Sequence, residues 1–99
     1  MKWTDGQYID APIIEDSIIV NLGLVMARWT SDFYRATPHR VIVPRDNVLR
    51  KRERLSIVFF SHPDNDTVIQ CVRGSNKYQP ITATDHLQEL FLQSYGYGL

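Results

Sequence analysis

Several features that would narrow the class of this 99-residue protein are scarce or missing in its sequence. Its one cysteine, Cys71, cannot form a disulfide within the chain and suits a reducing compartment. The eleven basic residues equal the eleven acidic ones, so the broad positive field of a nucleic-acid-binding protein is missing. No apolar run approaches the roughly 18 residues of a membrane span, and no signal-peptide core follows the first residues. We therefore expect a soluble, cytoplasmic protein that binds neither nucleic acid nor membrane.

The sequence does contain enough apolar side chains for one hydrophobic core. Its 43% hydrophobic and 11% aromatic residues are typical of a globular protein. A chain of this length forms at most a single domain, here 1–99. We expect Cys71 to be a small apolar residue of a strand, and we expect the larger aromatic side chains to lie in the core. These are Trp3, Trp29, Phe33, Tyr34, Phe59 and Phe60.

Short segments with the composition of strands are separated by turn formers. β-branched and aromatic residues dominate these segments, which favours strand over helix. They are 17–21, 34–43, 53–60 and 67–72. Turn residues stand at Asp5-Gly6, at 61–66 and at 74–76.

Two segments have the period of a helix instead. In 22–30 the apolar residues recur at helical spacing, and Ser31-Asp32 then breaks the pattern. Near the C-terminus Thr82 can cap a last helix that Gly96 and Gly98 end. Its predicted apolar stripe is Leu87, Leu90 and Phe91, with His86 expected at the surface.

Strands separated by turns, with one short internal helix and one C-terminal helix, predict a mainly β fold of jelly-roll type. A complete jelly roll has eight strands, and this sequence supplies only about half that number. The sequence therefore predicts part of a jelly roll.

Three polar side chains within the predicted strands could form a binding site. Ser56 follows Arg54 at the period of a strand, so both side chains would point to one face and could bind a carboxylate together. His39 follows Pro38, where a bulge would suit a functional position, and imidazole is a common metal ligand. Each feature taken alone also has a structural interpretation. His39 could be a structural histidine, and Arg54 and Ser56 could be an exposed surface pair.

The surroundings of these residues resemble the C-terminal part of the iron(II)/2-oxoglutarate-dependent dioxygenases, the family that includes isopenicillin N synthase. Residues 34–41 and 53–60 carry the resemblance, and 5–12, 20–23 and 78–83 support it. The resemblance implies a partial double-stranded β-helix, which is a jelly roll. It also implies Fe(II) and 2-oxoglutarate as cofactors, and oxidation of a small organic substrate coupled to decarboxylation of 2-oxoglutarate.

The resemblance also implies a role for each site residue. The family holds iron with two histidines and one carboxylate. His39 matches the second histidine, while Arg54 and Ser56 match the Arg-x-Ser motif that binds 2-oxoglutarate. In the family, the first histidine and the carboxylate form a His-x-Asp motif, which lies upstream of the family segment that corresponds to residues 3–8 here. This sequence does not contain that motif. We therefore expect the chain alone to hold iron weakly and to be inactive.

Two departures from the family pattern affect local structure. Leu24 replaces the aspartate that usually follows the glycine at position 23, which removes a favourable charge at a helix start. The spacing from His39 to Arg54 is longer than the commonest one, which predicts an extended hairpin loop over 44–52.

Two other features have a functional and a structural interpretation. His62-Pro63-Asp64 has the letters of a His-x-Asp motif, but it follows His39 and consists of turn formers, which favours a turn. The basic segment 45–54 could contact RNA, but the zero net charge favours a solvated loop.

Two hypotheses about function follow. The first is the C-terminal portion of a 2-oxoglutarate oxygenase with an incomplete metal site. The second is a non-catalytic module that associates through its open sheet, with either the missing N-terminal half or a second copy covering that sheet.

Overall fold

A computed structural model describes residues 1–2, 5–72 and 74–96 of the chain. These residues form α1 (Leu24–Trp29), α2 (Asn47–Arg50), β1 (Val68–Ile69), β2 (Ile81–Thr82) and α3 (Ala83–Tyr95). The chain divides into two units, and each is described by itself. The first unit comprises Met1–Asp16 and Thr37–Ser61, and the second comprises Ser17–Ala36 and the described residues from His62 onward.

The core lies in the second unit. There β1 pairs with β2 in antiparallel fashion, with Val68 opposite Thr82 and Ile69 opposite Ile81. Ile69 is 1% exposed, the largest fully buried side chain among the described residues. All buried residues of the described chain belong to this unit: Ala27, Ile69, Cys71, Ala83 and His86.

Helix α3 begins at the residue that the sequence predicts. The Thr82 hydroxyl accepts a hydrogen bond from the Asp85 N–H at 3.2 Å, so Thr82 is the N-cap. The Thr84 hydroxyl donates to the Asn65 carbonyl at 2.9 Å and ties the first turn to the preceding loop. The helix ends at Gly96 as predicted, while Gly98 lies outside the described residues. No helix within the described ranges is long and apolar enough to cross a membrane.

Helix α1 confirms the internal helix and its break. It begins after Gly23 without a side-chain cap, and no acidic residue stands in its first turn, which agrees with the effect expected of Leu24. Ser31 and Asp32 both have positive φ, at 52° and 63°. Left-handed residues cannot continue a right-handed helix, so the chain turns away there.

Polar contacts fix α1 against the segment that follows β1. The Arg28 guanidinium donates to the Gln79 carbonyl at 2.8 Å, and the Val72 N–H donates to the Trp29 carbonyl at 2.9 Å. The buried Cys71 thiol lies 3.5 Å from the Arg28 carbonyl. Cys71 is therefore a small buried residue next to β1, close to its predicted role.

The Asp32 carboxylate, on the turn after α1, forms a second attachment to the segment that follows β1. The Asp32 carboxylate accepts a hydrogen bond from the Tyr78 hydroxyl at 2.7 Å and forms an ion pair with Lys77. The Lys77 ammonium first, and the Tyr78 hydroxyl second, hold the pKa of Asp32 below its ordinary value. The same carboxylate raises the pKa of Lys77 and of Tyr78.

The first unit contains the predicted turn at Asp5-Gly6. The Gln7 N–H donates to the Asp5 carboxylate at 2.9 Å, and Gly6 has a φ of 87°, which glycine adopts without strain. Lys2 and Tyr8 form an antiparallel bridge across this turn. The Lys2 N–H donates to the Pro38 carbonyl at 2.8 Å.

The connection predicted as a hairpin loop contains one turn of helix. Asp46 caps α2 by accepting hydrogen bonds from the Val48 and Leu49 N–H groups at 2.7 and 3.0 Å. The residues of 45–54 are exposed, as the solvated interpretation of the basic segment predicts.

Most of the predicted strands are absent from the described residues. Segments 17–21, 34–43 and 53–60 have no regular secondary structure, and 67–72 forms strand only at Val68–Ile69. A strand needs a neighbour to accept and donate its backbone hydrogen bonds, and strand propensity cannot supply one. The two-stranded sheet is therefore much smaller than the mainly β architecture predicted from the sequence.

The prediction that the aromatic side chains lie in the core is wrong for four of them. Phe59 is 90% exposed and Phe60 is 84% exposed, and Phe33 and Tyr34 are exposed as well. Trp29 is half-buried, while Trp3 lies outside the described residues. Phe59 and Phe60 belong to a segment that has no neighbouring strand among the described residues, so no second layer covers their side chains.

We expect an NMR titration of the Asp32 carboxyl group to give a midpoint below the ordinary value of 3.8. Lys77→Met should raise this pKa most, because Lys77 lowers it most, and Tyr78→Phe should raise it less. Lys51→Met, which removes an exposed lysine of the other unit, is the control and should change nothing.

The sign of the linked stability effect follows from the lowered pKa. The stabilisation by Asp32 is complete above the ordinary aspartate pKa and is lost as the pH falls through the lower folded-state value. An Asp32 midpoint at 3.8 that Lys77→Met leaves unchanged would contradict this account.

Candidate functional site

His39 is exposed in the first unit and has one ring nitrogen occupied. Its Nδ1 lies 2.9 Å from the Thr37 carbonyl oxygen. Because a carbonyl only accepts hydrogen bonds, Nδ1 carries the hydrogen in the neutral ring, and Nε2 keeps its lone pair. A backbone carbonyl that fixes the tautomer in this way is the usual support of a metal-binding histidine.

Arg54 and Ser56 are also exposed residues of the first unit. Neither forms a hydrogen bond or an ion pair with another described residue. Their placement on one face depends on the two-residue period of a strand, and segment 53–60 is not a strand in this structure. The guanidinium and the hydroxyl are accessible, but nothing holds them in a fixed geometry.

The described residues offer one candidate metal ligand rather than a complete set. Nowhere in 1–2, 5–72 and 74–96 do three or more His, Cys, Asp or Glu side chains come together as a metal site requires. His39 fits one position of a three-ligand iron site, and the described residues supply no second or third ligand next to it.

The rival motif His62-Pro63-Asp64 in the second unit leads into a turn that begins at Asp64. The Thr67 N–H donates to the Asp64 carbonyl at 2.9 Å, which closes a four-residue turn. His62 Nδ1 lies 2.8 Å from the Pro63 carbonyl oxygen, and the ring is exposed. The prediction of a turn is confirmed.

His86 is the titratable residue that the sequence analysis placed wrongly. It is only 5% exposed on α3, where a surface position was expected. Burial first, and the nearby Arg28 charge second, lower the pKa of His86, while Glu89 acts in the opposite direction.

The position of His86 could have been inferred from helical spacing. Ala83, His86 and Leu90 recur at i, i+3 and i+7 on one stripe. Ala83 and His86 are buried and Leu90 is half-buried, whereas Leu87 and Phe91 of the predicted stripe are exposed. The buried stripe is thus displaced by about one residue from the predicted one.

Comparison with known proteins places these residues in a family. The sequence model of the 2OG-Fe(II) oxygenase superfamily matches residues 2–63, a range that contains His39, Arg54 and Ser56. The 2-oxoglutarate-Fe(II) type oxidoreductase hxnY of Emericella nidulans is 36% identical over 97 residues, which are 92% of this chain and 26% of that protein.

Two further relatives are an oxidoreductase of the same printed type and an oxidase. The 2-oxoglutarate-Fe(II) type oxidoreductase ppzD of Metarhizium majus is 31% identical over 101 residues, covering 93% of this chain and 28% of that protein. The 1-aminocyclopropane-1-carboxylate oxidase of Prunus mume is 42% identical over 65 residues, covering 66% of this chain and 19% of that protein.

No solved structure matches the chain. The chain spans about a quarter of the length of hxnY and of ppzD, 26% and 28%. The resemblance stated from the sequence is confirmed by a family match over more than half of the residues. This chain belongs to the 2OG-Fe(II) oxygenase superfamily.

Proposed function

We propose that the chain is a portion of an oxygenase that oxidises a small organic substrate with Fe(II) and 2-oxoglutarate. The observation that carries this proposal is the family match over residues 2–63, which includes the one candidate iron ligand and the candidate cosubstrate pair. The names of two of the relatives, hxnY and ppzD, are those of 2-oxoglutarate-Fe(II) type oxidoreductases and support the same reaction class.

In the proposed enzyme His39 binds the iron through Nε2. The hydrogen bond from Nδ1 to the Thr37 carbonyl supports this role because it fixes the ring and leaves the Nε2 lone pair exposed. Bound Fe(II) would let dioxygen act as the oxidant, and 2-oxoglutarate would be oxidatively decarboxylated to succinate and carbon dioxide as the substrate is oxidised.

Arg54 and Ser56 orient 2-oxoglutarate in this proposal. A guanidinium presents a planar pair of donors to a carboxylate, and a hydroxyl two residues away can add a third hydrogen bond. Their accessibility supports the role, because neither group forms a bond with another described residue that a ligand would have to replace.

We further propose that segments 17–21, 34–43 and 53–60 become strands of a double-stranded β-helix when partner strands are present. Their strand composition and lack of regular structure support this proposal. The partner strands, together with the two other iron ligands, would come from the remaining part of the oxygenase domain. The isolated chain would accordingly bind iron weakly and not turn over.

The proposal can be tested by titrating the chain with Mn(II), an oxygen-stable substitute for iron, and recording the ring signals of His39 by NMR. We expect 2-oxoglutarate to increase the paramagnetic broadening at His39, because Arg54 and Ser56 hold the cosubstrate beside the ion. Arg54→Gln should weaken this cosubstrate effect about tenfold, since a charged hydrogen bond contributes roughly 1.5 kcal/mol.

His62 is a matched internal control for this experiment. It is exposed, and its Nδ1 also faces a backbone carbonyl, but it belongs to the second unit, whereas Arg54 and Ser56 belong to the first. 2-Oxoglutarate also changes the concentration of free Mn(II) in solution. The His62 signals should show only the effect of that change. Equal responses at His39 and His62 would refute the proposed roles of His39 and Arg54.

A second candidate function, association without catalysis, is favoured by the apolar surface of the first unit. Leu55, Ile57 and Phe59 are almost fully exposed within six consecutive apolar or small residues at 55–60. Soluble proteins rarely leave such a patch in contact with water unless another surface covers it. The missing portion of the domain or a second copy of this chain could cover it.

Sedimentation equilibrium over a range of concentrations tests association between copies. If copies pair through 55–60, the average mass should rise with concentration, and Phe59→Lys should weaken pairing by tenfold or more, because it loses roughly 1.5–3 kcal/mol of apolar burial. Val48→Lys changes another exposed apolar residue of the same unit and should leave pairing intact. A single-chain mass at all concentrations would exclude this association.

A further inference from the structure

A pocket lies between α1 and α3 in the second unit, and none of the residues assigned to iron and cosubstrate lines it. Its volume is about 220 Å³. Leu24, Ala27 and Arg28 line it from α1, and His86, Glu89 and Leu90 line it from α3.

Two buried nitrogen atoms of residues that line this pocket lack hydrogen-bond partners. Among the described residues, nothing pairs with His86 Nδ1 or with Arg28 Nε. His86 as a whole is only 5% exposed. Buried polar atoms are nearly always hydrogen-bonded in folded proteins, and an exception calls for a ligand or another function.

The Arg28 guanidinium is held in place by its other contacts. Its Nη2 donates to the Gln79 carbonyl at 2.8 Å, and its central carbon lies 5.2 Å from the centre of the Tyr78 ring. These contacts fix the plane of the guanidinium and leave the Nε hydrogen without an acceptor. A guanidinium has donors only, so the missing partner has to be an acceptor.

The charges around the pocket favour an acceptor that is negative. Asp32 also lines the pocket, but Lys77 and Tyr78 already engage its carboxylate. Glu89 is exposed, so solvent screens its charge. Inside the pocket, the guanidinium of Arg28 is thus the charge that still lacks a direct counterpart.

We propose that this pocket binds a small carboxylic acid, whose carboxylate accepts hydrogen bonds from Arg28 Nε and His86 Nδ1. The short apolar part of the acid would lie against Leu24, Ala27 and Leu90, the apolar residues of the lining. A carboxylate meets both nitrogen atoms because it has two acceptor oxygens and one negative charge. This inference is independent of the proposed oxygenase activity, which rests on residues of the other unit.

The test is a titration of the ¹⁵N-labelled 99-residue chain with butyrate at fixed pH, followed by the NMR signals of the His86 ring. We expect a saturable shift with butyrate and none with butyramide, which has the same shape without the charge. Butyrate should also raise the pKa of His86, because a bound anion stabilises the protonated ring, as Glu89 does. Burial, Arg28 and His62 act in the opposite direction and lower this pKa.

Two variants connect the binding to this pocket. Arg28→Lys keeps the charge but removes Nε, and it should weaken butyrate binding at least tenfold. Because Arg28 also supports α1, Leu24→Trp provides a second variant that fills the pocket from an exposed position. It should abolish the His86 shift while the amide signals of α3 keep their dispersion. Lys51→Met, which changes an exposed lysine of the other unit, is the control and should leave binding unchanged.

The source of the carboxylate is decided by a second probe. A glutamate blocked at both its backbone ends represents a side chain from another polypeptide segment. If the blocked glutamate binds more tightly than butyrate, the natural occupant is a protein segment. If it binds equally or more weakly, the natural occupant is a free acid. Equal shifts with butyrate and butyramide, or a butyrate shift that survives Leu24→Trp in the folded chain, would overturn the proposal.

Arg54→Gln separates this proposal from the proposed oxygenase function. It should abolish the effect of 2-oxoglutarate at His39 and leave the butyrate shift at His86 intact. Loss of the butyrate shift in this variant would show that the acid binds at the cosubstrate pair and not between α1 and α3, which would overturn the pocket proposal alone.

Discussion

A β-strand depends on a neighbour for its backbone hydrogen bonds, and this requirement determines which parts of the chain are ordered. In the second unit β1 and β2 supply each other, and Ile69, Ala83 and His86 are buried around them. The first unit contains the strand-like segment 53–60, but the described residues offer it no partner strand. Burial follows backbone pairing, and the first unit has no buried residue in its described part.

The candidate site is affected by the same constraint. His39, Arg54 and Ser56 all belong to the unit without a core. The histidine has local support, since its ring is fixed by the Thr37 carbonyl only two residues away. The Arg54 and Ser56 side chains have no such support, because their common orientation requires a strand. Family membership and an incomplete site are therefore compatible: the residue types are present, and the neighbours that would position them are not among the described residues.

Local signals in the sequence predicted local structure well. The Thr82 cap, the break at Ser31-Asp32 and the turn at Asp5-Gly6 each depend on residues within one turn of the chain, and each is present. The strands at 17–21 and 53–60 were predicted from composition, but strand formation depends on distant partners. His86 was misplaced because its burial depends on packing against α1, which the α3 sequence alone does not specify. The identities of the site residues came from motifs, whereas their geometry depends on the sheet.

The most direct test of this account is amide hydrogen exchange of the isolated chain at a concentration where it is monomeric. We predict strong protection at Ile69 and through α3, because these amides are paired and lie in the unit with the core. The amides of 53–60 should exchange at the rate of an unstructured peptide, since they have no partner strand. Protection over 53–60 equal to that of α3 would contradict the account, because it would mean that the strand carrying Arg54 and Ser56 forms without the rest of the oxygenase domain.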